Sequence, residues 1–238
     1  MLRSYGSGVR LSGLDELLTY LDRVNTVFQR GKKLRQIAFL IIRARADLEM
    51  AIEAAFGGLH SVVADLMRDL MEIEMLLRDF EGETKRIQIW LAADDAARHK
   101  EFAPVVLRTR YAKRKNVKRA DLHEELDYKA HSLSLHVTTF NVPLWSRGTA
   151  RSSDPFADDA CFWELFEHAR RFVRVADRLR KRLAPRIPDG PSPRKDLRRF
   201  EDAWRRTRQM QNLYIAVLRA SREPFSDSAA QAKVRDRT

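Results

Sequence analysis

The segment "DLMRDLMEIEMLLRDF", from Asp65 to Phe80, gives the clearest indication of the fold class. Its apolar residues recur at spacings of three and four, which is the period of an α-helix. They also fall on more than one side of the helix, and a helix with so wide an apolar surface is buried by its neighbours. The sequence therefore predicts a helix from about Leu59 to Phe80 at the centre of a helical bundle.

Helical periodicity continues on both sides of this segment. "SLSLHVTTF" (Ser132–Phe140) alternates like a strand, but a single strand has nothing to pair with, so a helix is favoured there. The predicted helices are Leu14–Gln29, Leu34–Phe56, Leu59–Phe80, Lys85–His99, one that begins at Pro104, Ala120–Phe140, Phe156–Ala184 and Lys195–Arg222. The predicted fold class is all-α, an irregular up-and-down helical bundle of about seven or eight helices.

The domain organisation follows from the breaks in this pattern. We predict a single helical domain over residues 1–222, with a Pro-, Gly- and Ser-containing connector at 143–155 before two C-terminal helices. Residues 223–238 are predicted to form a flexible tail. A single cysteine excludes an intramolecular disulfide, and the longest apolar run, Ile37–Ile42, is too short to span a bilayer. No secretory signal is present at the start, so a cytoplasmic location is expected.

The charge is strongly positive and uneven. The net charge is +12, and residues 146–238 hold 22 of the 45 lysines and arginines but only 13 of the 33 acids. A basic half indicates a polyanionic partner such as nucleic acid, an acidic protein or an anionic membrane. The alternative is that these charges are solvated helix faces without a partner.

A charged pair interrupts the apolar pattern of the central helix. Arg68 and Glu72 are spaced i, i+4 and share a face with Asp65. Arginine and glutamate are seldom buried unless they are paired. The pair is therefore a structural clamp, a plain surface pair or part of a functional site.

The segment "YKAHSLSLHVTTF" (Tyr128–Phe140) offers groups that could work with this pair. On a helix, Tyr128, Ser132 and His136 form one polar stripe at i, i+4 and i+8. A histidine titrates near neutral pH and could act as general acid or base in phosphodiester cleavage, with an arginine to neutralise the phosphate. The alternative is a buried polar seam in which His136 is bonded to a carbonyl or to Glu72.

A basic segment, "LRTRYAKRKNVKR" (Leu107–Arg119), contains seven cations and no acid. We predict that it binds nucleic acid through Arg108, Arg110, Lys113, Arg114, Lys115, Lys118 and Arg119. Such a cluster can neutralise several phosphates, and its binding would depend strongly on salt. The alternative is a solvated helix face. The sequence predicts no metal site and no cofactor, because it has no Gly-rich phosphate loop and no pair of ligands at a convincing spacing.

Three consecutive features resemble bacterial all-helical proteins related to the HEPN domains. They are "LMRDLMEIEMLLRDF", "RIQIWLAADDAARHKEF" and "YKAHSLSLH", which together cover roughly residues 59–140. The resemblance implies a helical bundle, and a metal-independent ribonuclease or an inactive binding module. The Arg-x4–6-His motif of active members is absent, so a site would be assembled from separate helices, with Arg68 and Glu72 facing His136.

These observations give two functional hypotheses. The first is a HEPN-like protein that binds RNA or another polyanion, and cleaves RNA if it is an enzyme, in bacterial stress or phage defence. Its catalytic group would be His136, Arg68, Glu72, Tyr128 and Ser132. The second is a non-catalytic helical module that holds an acidic protein or nucleic acid on its basic surface. A homodimer is compatible with either hypothesis.

Overall fold

A computed structural model describes residues 2–57, 59–122, 124–125, 127–129, 155–185, 197–206 and 209. The α-helices are α1 (Leu2–Arg30), α2 (Ala38–Phe56), α3 (His60–Gly82), α4 (Arg86–Ala92), α5 (Asp95–Phe102), α6 (Pro104–Lys115) and α7 (Pro155–Leu183). Short 3-10 helices occupy Leu34–Ile37 and Arg119–Asp121, and residues 197–206 are helical. The all-α prediction is confirmed, because the described residues include no strand.

The central position predicted for the third helix is also confirmed. α3 packs against α7, α2, α6 and α4, whereas α1 packs against α2 and α7. Buried apolar side chains occur all around α3, at Val63, Met67, Leu70, Met71, Ile73, Met75, Leu76, Leu77 and Phe80. Because apolar burial is the main favourable term in folding, this helix holds the core together.

The first helix begins earlier than predicted. α1 begins at Leu2 rather than Leu14, and its glycines lie inside the helix. At Gly13 the absence of a Cβ allows Ala203 and the ring of Phe166 to approach closely. Glycine here indicates a close crossing of helices rather than a break in the chain.

The helix predicted from Lys85 to His99 is two helices. α4 ends at Ala92, and α5 begins at Asp95. Asp94 caps α5, because its side chain accepts a hydrogen bond from the backbone N–H of Ala97 at 2.7 Å. Aspartate is a favoured N-cap, because its carboxylate satisfies an N–H that has no partner inside the helix. The prediction followed apolar spacing alone and overlooked this cap.

The remaining predicted elements are described in part. α6 begins at Pro104 as predicted, and Asn116 ends it in the left-handed conformation at φ 54°. Residues 124–125 and 127–129 are helical within the predicted Ala120–Phe140 helix, and residues 197–206 are helical within the predicted Lys195–Arg222 helix. The connector at 143–154, most of the last helix and the tail lie outside the described residues. Among the helices that the structure describes, none combines the length and apolarity needed to cross a bilayer.

Candidate functional site

The structure brings three of the predicted catalytic residues together. Arg68 and Glu72 are neighbours on α3, with Nε and Oε1 3.6 Å apart. The Tyr128 hydroxyl donates to Glu72 Oε1 at 2.8 Å and accepts from Arg68 Nη2 at 3.3 Å. Ser132 and His136 lie outside the described residues.

Two arginines hold the ring of Tyr128 in place. The Arg108 guanidinium lies over the ring at 4.2 Å and that of Arg68 at 5.5 Å. Arg108 is itself buried and donates to Glu125 at 2.7 Å. A cation over an aromatic face is attracted by the ring quadrupole. The ring is therefore positioned from α3 and from α6 before any ligand arrives.

Tyr128 is a hydrogen-bond donor in this group and not a base. Burial raises the pKa of its hydroxyl, and the bond to Glu72 raises it further, although Arg68 opposes both effects. The phenol therefore stays protonated at neutral pH, since its ordinary pKa is already near 10. Arg68 and Glu72 each keep about a third of their side-chain surface exposed, at 33% and 39%. A charged ligand can reach both groups.

The basic segment splits into two classes of side chain. Its four arginines turn towards acids: Arg108 and Arg119 contact Glu125, and Arg110 and Arg114 contact Asp79. Its three lysines, Lys113, Lys115 and Lys118, are exposed, and among the described residues no acid lies within ion-pair distance of them. Counting charges along the sequence could not separate the two classes, because the acids lie on other elements of the bundle.

A second charged layer lies between α3 and α7. Glu74 and Arg78, one turn apart on α3, form an ion pair, and Arg78 also binds Glu124 at 2.6 Å. From α7, Arg171 Nε lies 3.4 Å from Glu74. Burial lowers the pKa of Arg78, but the charges of Glu74 and Glu124 outweigh it and the pKa is raised. These arginines remain charged inside the bundle because each has a carboxylate partner.

One group in this layer has the residue types of a metal site. Ligand atoms of Asp127, Glu164 and His168 all lie within 4.8 Å of one another. Sequence reasoning missed the group, although Glu164 and His168 are spaced i, i+4 on one helix. Arg171 donates to Asp127 at 2.6 Å and to Nδ1 of His168 at 2.9 Å. The positive charge of Arg171 thus balances negative charge of the carboxylates in this group.

The tautomer of His168 follows from these contacts. An arginine can only donate, so Nδ1 accepts from Arg171 and carries no proton. Nε2 then carries the proton and lies 3.2 Å from the carboxylate of Glu164. With both nitrogens engaged and the ring 2% exposed, His168 is a structural residue of the α3–α7 layer.

Comparison of the chain with protein-family models, with curated proteins and with solved structures gives no match in any of the three.

Proposed function

We propose that this chain is a HEPN-like helical protein that binds RNA. The observation that supports it best is a row of exposed lysines at and just beyond the end of α6, called here the α6 lysines: Lys113, Lys115 and Lys118. Each is free of an acid partner among the described residues, so its charge is available to a phosphate. Tyr111 lies beside them, with the Lys115 ammonium 5.8 Å from its ring.

Lysines of this kind bind through charge rather than sequence. Neutralising a phosphate releases a counterion, and for single strands the slope of log affinity against log salt is about 0.7 per phosphate. Three lysines would account for a slope of about 2. Arg78 lies over one face of the Tyr111 ring at 4.5 Å, so the other face is the one that can stack on an unpaired base. RNA with single-stranded regions is therefore the favoured ligand.

The proposed catalytic step uses the group around Tyr128. Arg68 neutralises the phosphate, and Glu72, held by the Tyr128 hydroxyl, orients the arginine. His136, eight residues after Tyr128, takes the proton from the ribose 2′-hydroxyl as that oxygen forms a bond to phosphorus. The bond from phosphorus to the 5′-oxygen breaks, and the 5′-oxygen takes a proton from water. No redox partner is needed, because one phosphorus–oxygen bond replaces another and no atom changes its oxidation state.

The non-catalytic hypothesis is supported by a separate observation. Arg68, Glu72 and Tyr128 already make three mutual contacts, although Nε of Arg68 has no hydrogen-bond partner. Such a group serves equally well as a brace between α3 and the segment that contains Tyr128. In that case the chain holds RNA, or an acidic protein, without cleaving it.

The binding proposal is tested by fluorescence anisotropy with a labelled single-stranded RNA over a range of salt. Changing Lys113, Lys115 and Lys118 to Gln together should lower the salt slope by about 2. The matched control changes three exposed cations in the α1–α2 turn, Lys32, Lys33 and Arg35, to Gln. Wild-type binding that is indifferent to salt, or equal losses in both variants, would reject a phosphate-driven role for α6.

A further inference from the structure

Guanidinium groups from three other elements surround the last turn of α3. Arg86 begins α4, Arg110 and Arg114 come from α6, and Arg178 and Arg182 come from α7. We call these five residues the arginine cluster. Three of them, Arg86, Arg178 and Arg182, lie outside the basic segment Leu107–Arg119.

Asp79 lies at the base of the cluster and is only 1% exposed. It accepts from Arg86 Nε at 3.0 Å, from Arg110 Nη1 at 2.5 Å and from Arg114 Nη1 at 3.2 Å. One carboxylate thus holds three guanidinium groups. Its single negative charge cannot neutralise them.

Several other bonds of the cluster go to backbone carbonyls. Arg182 donates to the carbonyl of Glu81, and Arg114 donates to the carbonyl of Arg78 at 3.4 Å. Arg110 donates to the carbonyl of Glu101 at 3.1 Å. A carbonyl satisfies the N–H donor but carries no net charge. The guanidinium groups are therefore fixed in place without being neutralised.

The charge balance of the cluster is positive. Its five arginines have three carboxylate partners among the described residues: Asp79, Glu81, which Arg178 holds at 2.7 and 3.1 Å, and Glu101, which lies 3.4 Å from Arg86. The cluster therefore has a surplus of two positive charges. The C-terminus of α3 adds only roughly half a negative charge, so the site stays positive. Glu83 and Lys85, both exposed in the following loop, offset one another.

The cluster is also open to solvent, and its side chains are held by contacts within the bundle. The exposed fraction of the side chain is 25% for Arg110, 30% for Arg114 and 50% for Arg178, and Arg182 is exposed. Arg114 packs directly on Gly82, where a Cβ would overlap its guanidinium. Arginines held in this way lose little conformational entropy when they bind an anion, and their planar fork matches phosphate oxygens.

We infer that the arginine cluster is a phosphate-binding site, and that RNA bound to the α6 lysines continues across the end of α3 onto α7. The inference rests on the proposed function for the identity of the polyanion. Arg178 and Arg182 are the residues that extend the surface beyond α6. The carbonyls of Arg78 and Glu81, which Arg114 and Arg182 bind, are about 4.5 Å apart along the helix axis. Both arginines can therefore approach one phosphodiester.

The test compares two double variants that each lower the net charge by two. Arg178→Gln with Arg182→Gln removes charge from the cluster, and glutamine can still donate to the Glu81 carbonyl. The control, Arg174→Gln with Arg205→Gln, removes exposed arginines that pair with Glu201 and Asp202 instead. Thermal unfolding of each variant without ligand verifies that it folds. Binding is measured for inorganic tripolyphosphate and for the single-stranded RNA.

The cluster variant should lose about tenfold or more in affinity for tripolyphosphate, which corresponds to about 1.4 kcal/mol, and the control should stay within about threefold of wild type. For RNA binding by the cluster variant, the slope of log affinity against log salt should be about 1.4 smaller than for wild type. Wild type that binds tripolyphosphate through the cluster but not RNA supports the site and rejects the proposed function. RNA binding that both variants retain equally supports the proposed function and overturns the site. A wild type that binds neither ligand overturns both.

Discussion

The hydroxyl of Tyr128 lies 2.8 Å from Oε1 of Glu72 and connects segments that are 56 residues apart in the sequence. Arg68 donates to the same hydroxyl from the other side, so one oxygen joins both charged groups of the proposed catalytic site. The geometry of Arg68 and Glu72 depends on this bond. Removing it tests whether the group is a brace, a site or both.

Tyr128→Phe keeps the ring but removes both hydrogen bonds. We expect the free energy of unfolding to fall by about 1–2 kcal/mol, because Glu72 and Arg68 lose a partner in a half-buried position. Urea denaturation measures the change. Tyr111→Phe is the control, since the Tyr111 ring contacts Arg78 and Lys115 through its face, which the change preserves. Equal effects of the two variants would show that the hydroxyl of Tyr128 contributes nothing specific.

RNA cleavage tests the catalytic half of the proposal. Wild type should cleave single-stranded RNA in the presence of EDTA, and His136→Ala should lower the rate by about 10²–10⁴-fold, the usual contribution of general acid–base catalysis. His99→Ala, an exposed histidine on α5, serves as the control. RNA that stays intact with wild type would remove the catalytic assignment and leave the binding module.

Asp79→Asn should be the most destabilising single change in the charged network. Asp79 is buried and holds Arg86, Arg110 and Arg114. Its loss leaves Arg110 and Arg114 without a counter-charge, whereas Arg86 keeps Glu101. Removing one partner of a buried ion pair costs about 3–5 kcal/mol. Glu101→Gln, at a side chain that is 47% exposed, should cost about 1 kcal/mol or less. Thermal and urea unfolding distinguish these outcomes, and similar losses in both variants would contradict the central role of Asp79.

Gly13→Ala tests the close crossing of α1 with the 197–206 segment. Alanine would favour an isolated helix by about 1 kcal/mol, but here its Cβ would overlap the Cβ of Ala203. We expect a net destabilisation of about 1–3 kcal/mol from overpacking. Gly57→Ala is the control, because its nearest neighbour, the carbonyl oxygen of Glu53, would lie 3.4 Å away. A more stable Gly13→Ala protein would show that the helices are not in contact there.

Stability should depend on pH through Asp47. Burial, together with a hydrogen bond to the Asp69 carboxyl, raises the pKa of Asp47 from 3.8 to about 7, although Arg43 opposes the shift. The folded protein therefore holds a proton that the unfolded chain releases. This contribution to stability is complete below the unfolded pKa and is lost as the pH rises through the folded pKa.

Between about pH 4 and about pH 7, the free energy of unfolding should fall by up to about 1.4 kcal/mol for each pH unit on account of this group. Asp47→Asn should flatten the profile, because an amide does not titrate. Asp95→Asn, at a fully exposed side chain, should leave the profile unchanged. Urea denaturation across this range provides the measurement, and a wild-type profile as flat as that of Asp47→Asn would contradict the assignment.

The sequence was sufficient for the fold class and for the central helix, because both depend on the apolar period of α3. It also placed Arg68, Glu72 and Tyr128 in one group, since their polar stripes had to face one another if α3 was buried. It could not show that Arg108 and Arg114 turn towards acids, because their partners Glu125 and Asp79 belong to other elements. Asp94 is of a residue type that caps helices, so the sequence alone could have predicted the boundary between α4 and α5.

The sequence could not predict the contribution of α7 to the arginine cluster, for a different reason. Arg178 and Arg182 lie on a helix whose sequence predicts packing in the bundle, with its arginines off the apolar face. That they meet the end of α3 depends on the angle and register at which the two helices cross. Neither quantity is encoded in a local pattern.

The packing of α7 against α3 also has a consequence for synthesis of the chain. About 100 residues separate the end of α3 from the end of α7, so at 5–20 residues per second the ribosome needs about 5–20 s to deliver the covering helix. During that interval α1, α2 and α3 present the apolar surface that Phe166, Phe172 and Leu179 later cover. A nascent chain with such a surface is a substrate for chaperones. Yield in the cell should therefore respond more strongly to translation speed across residues 83–183 than to changes on the exposed face of α6.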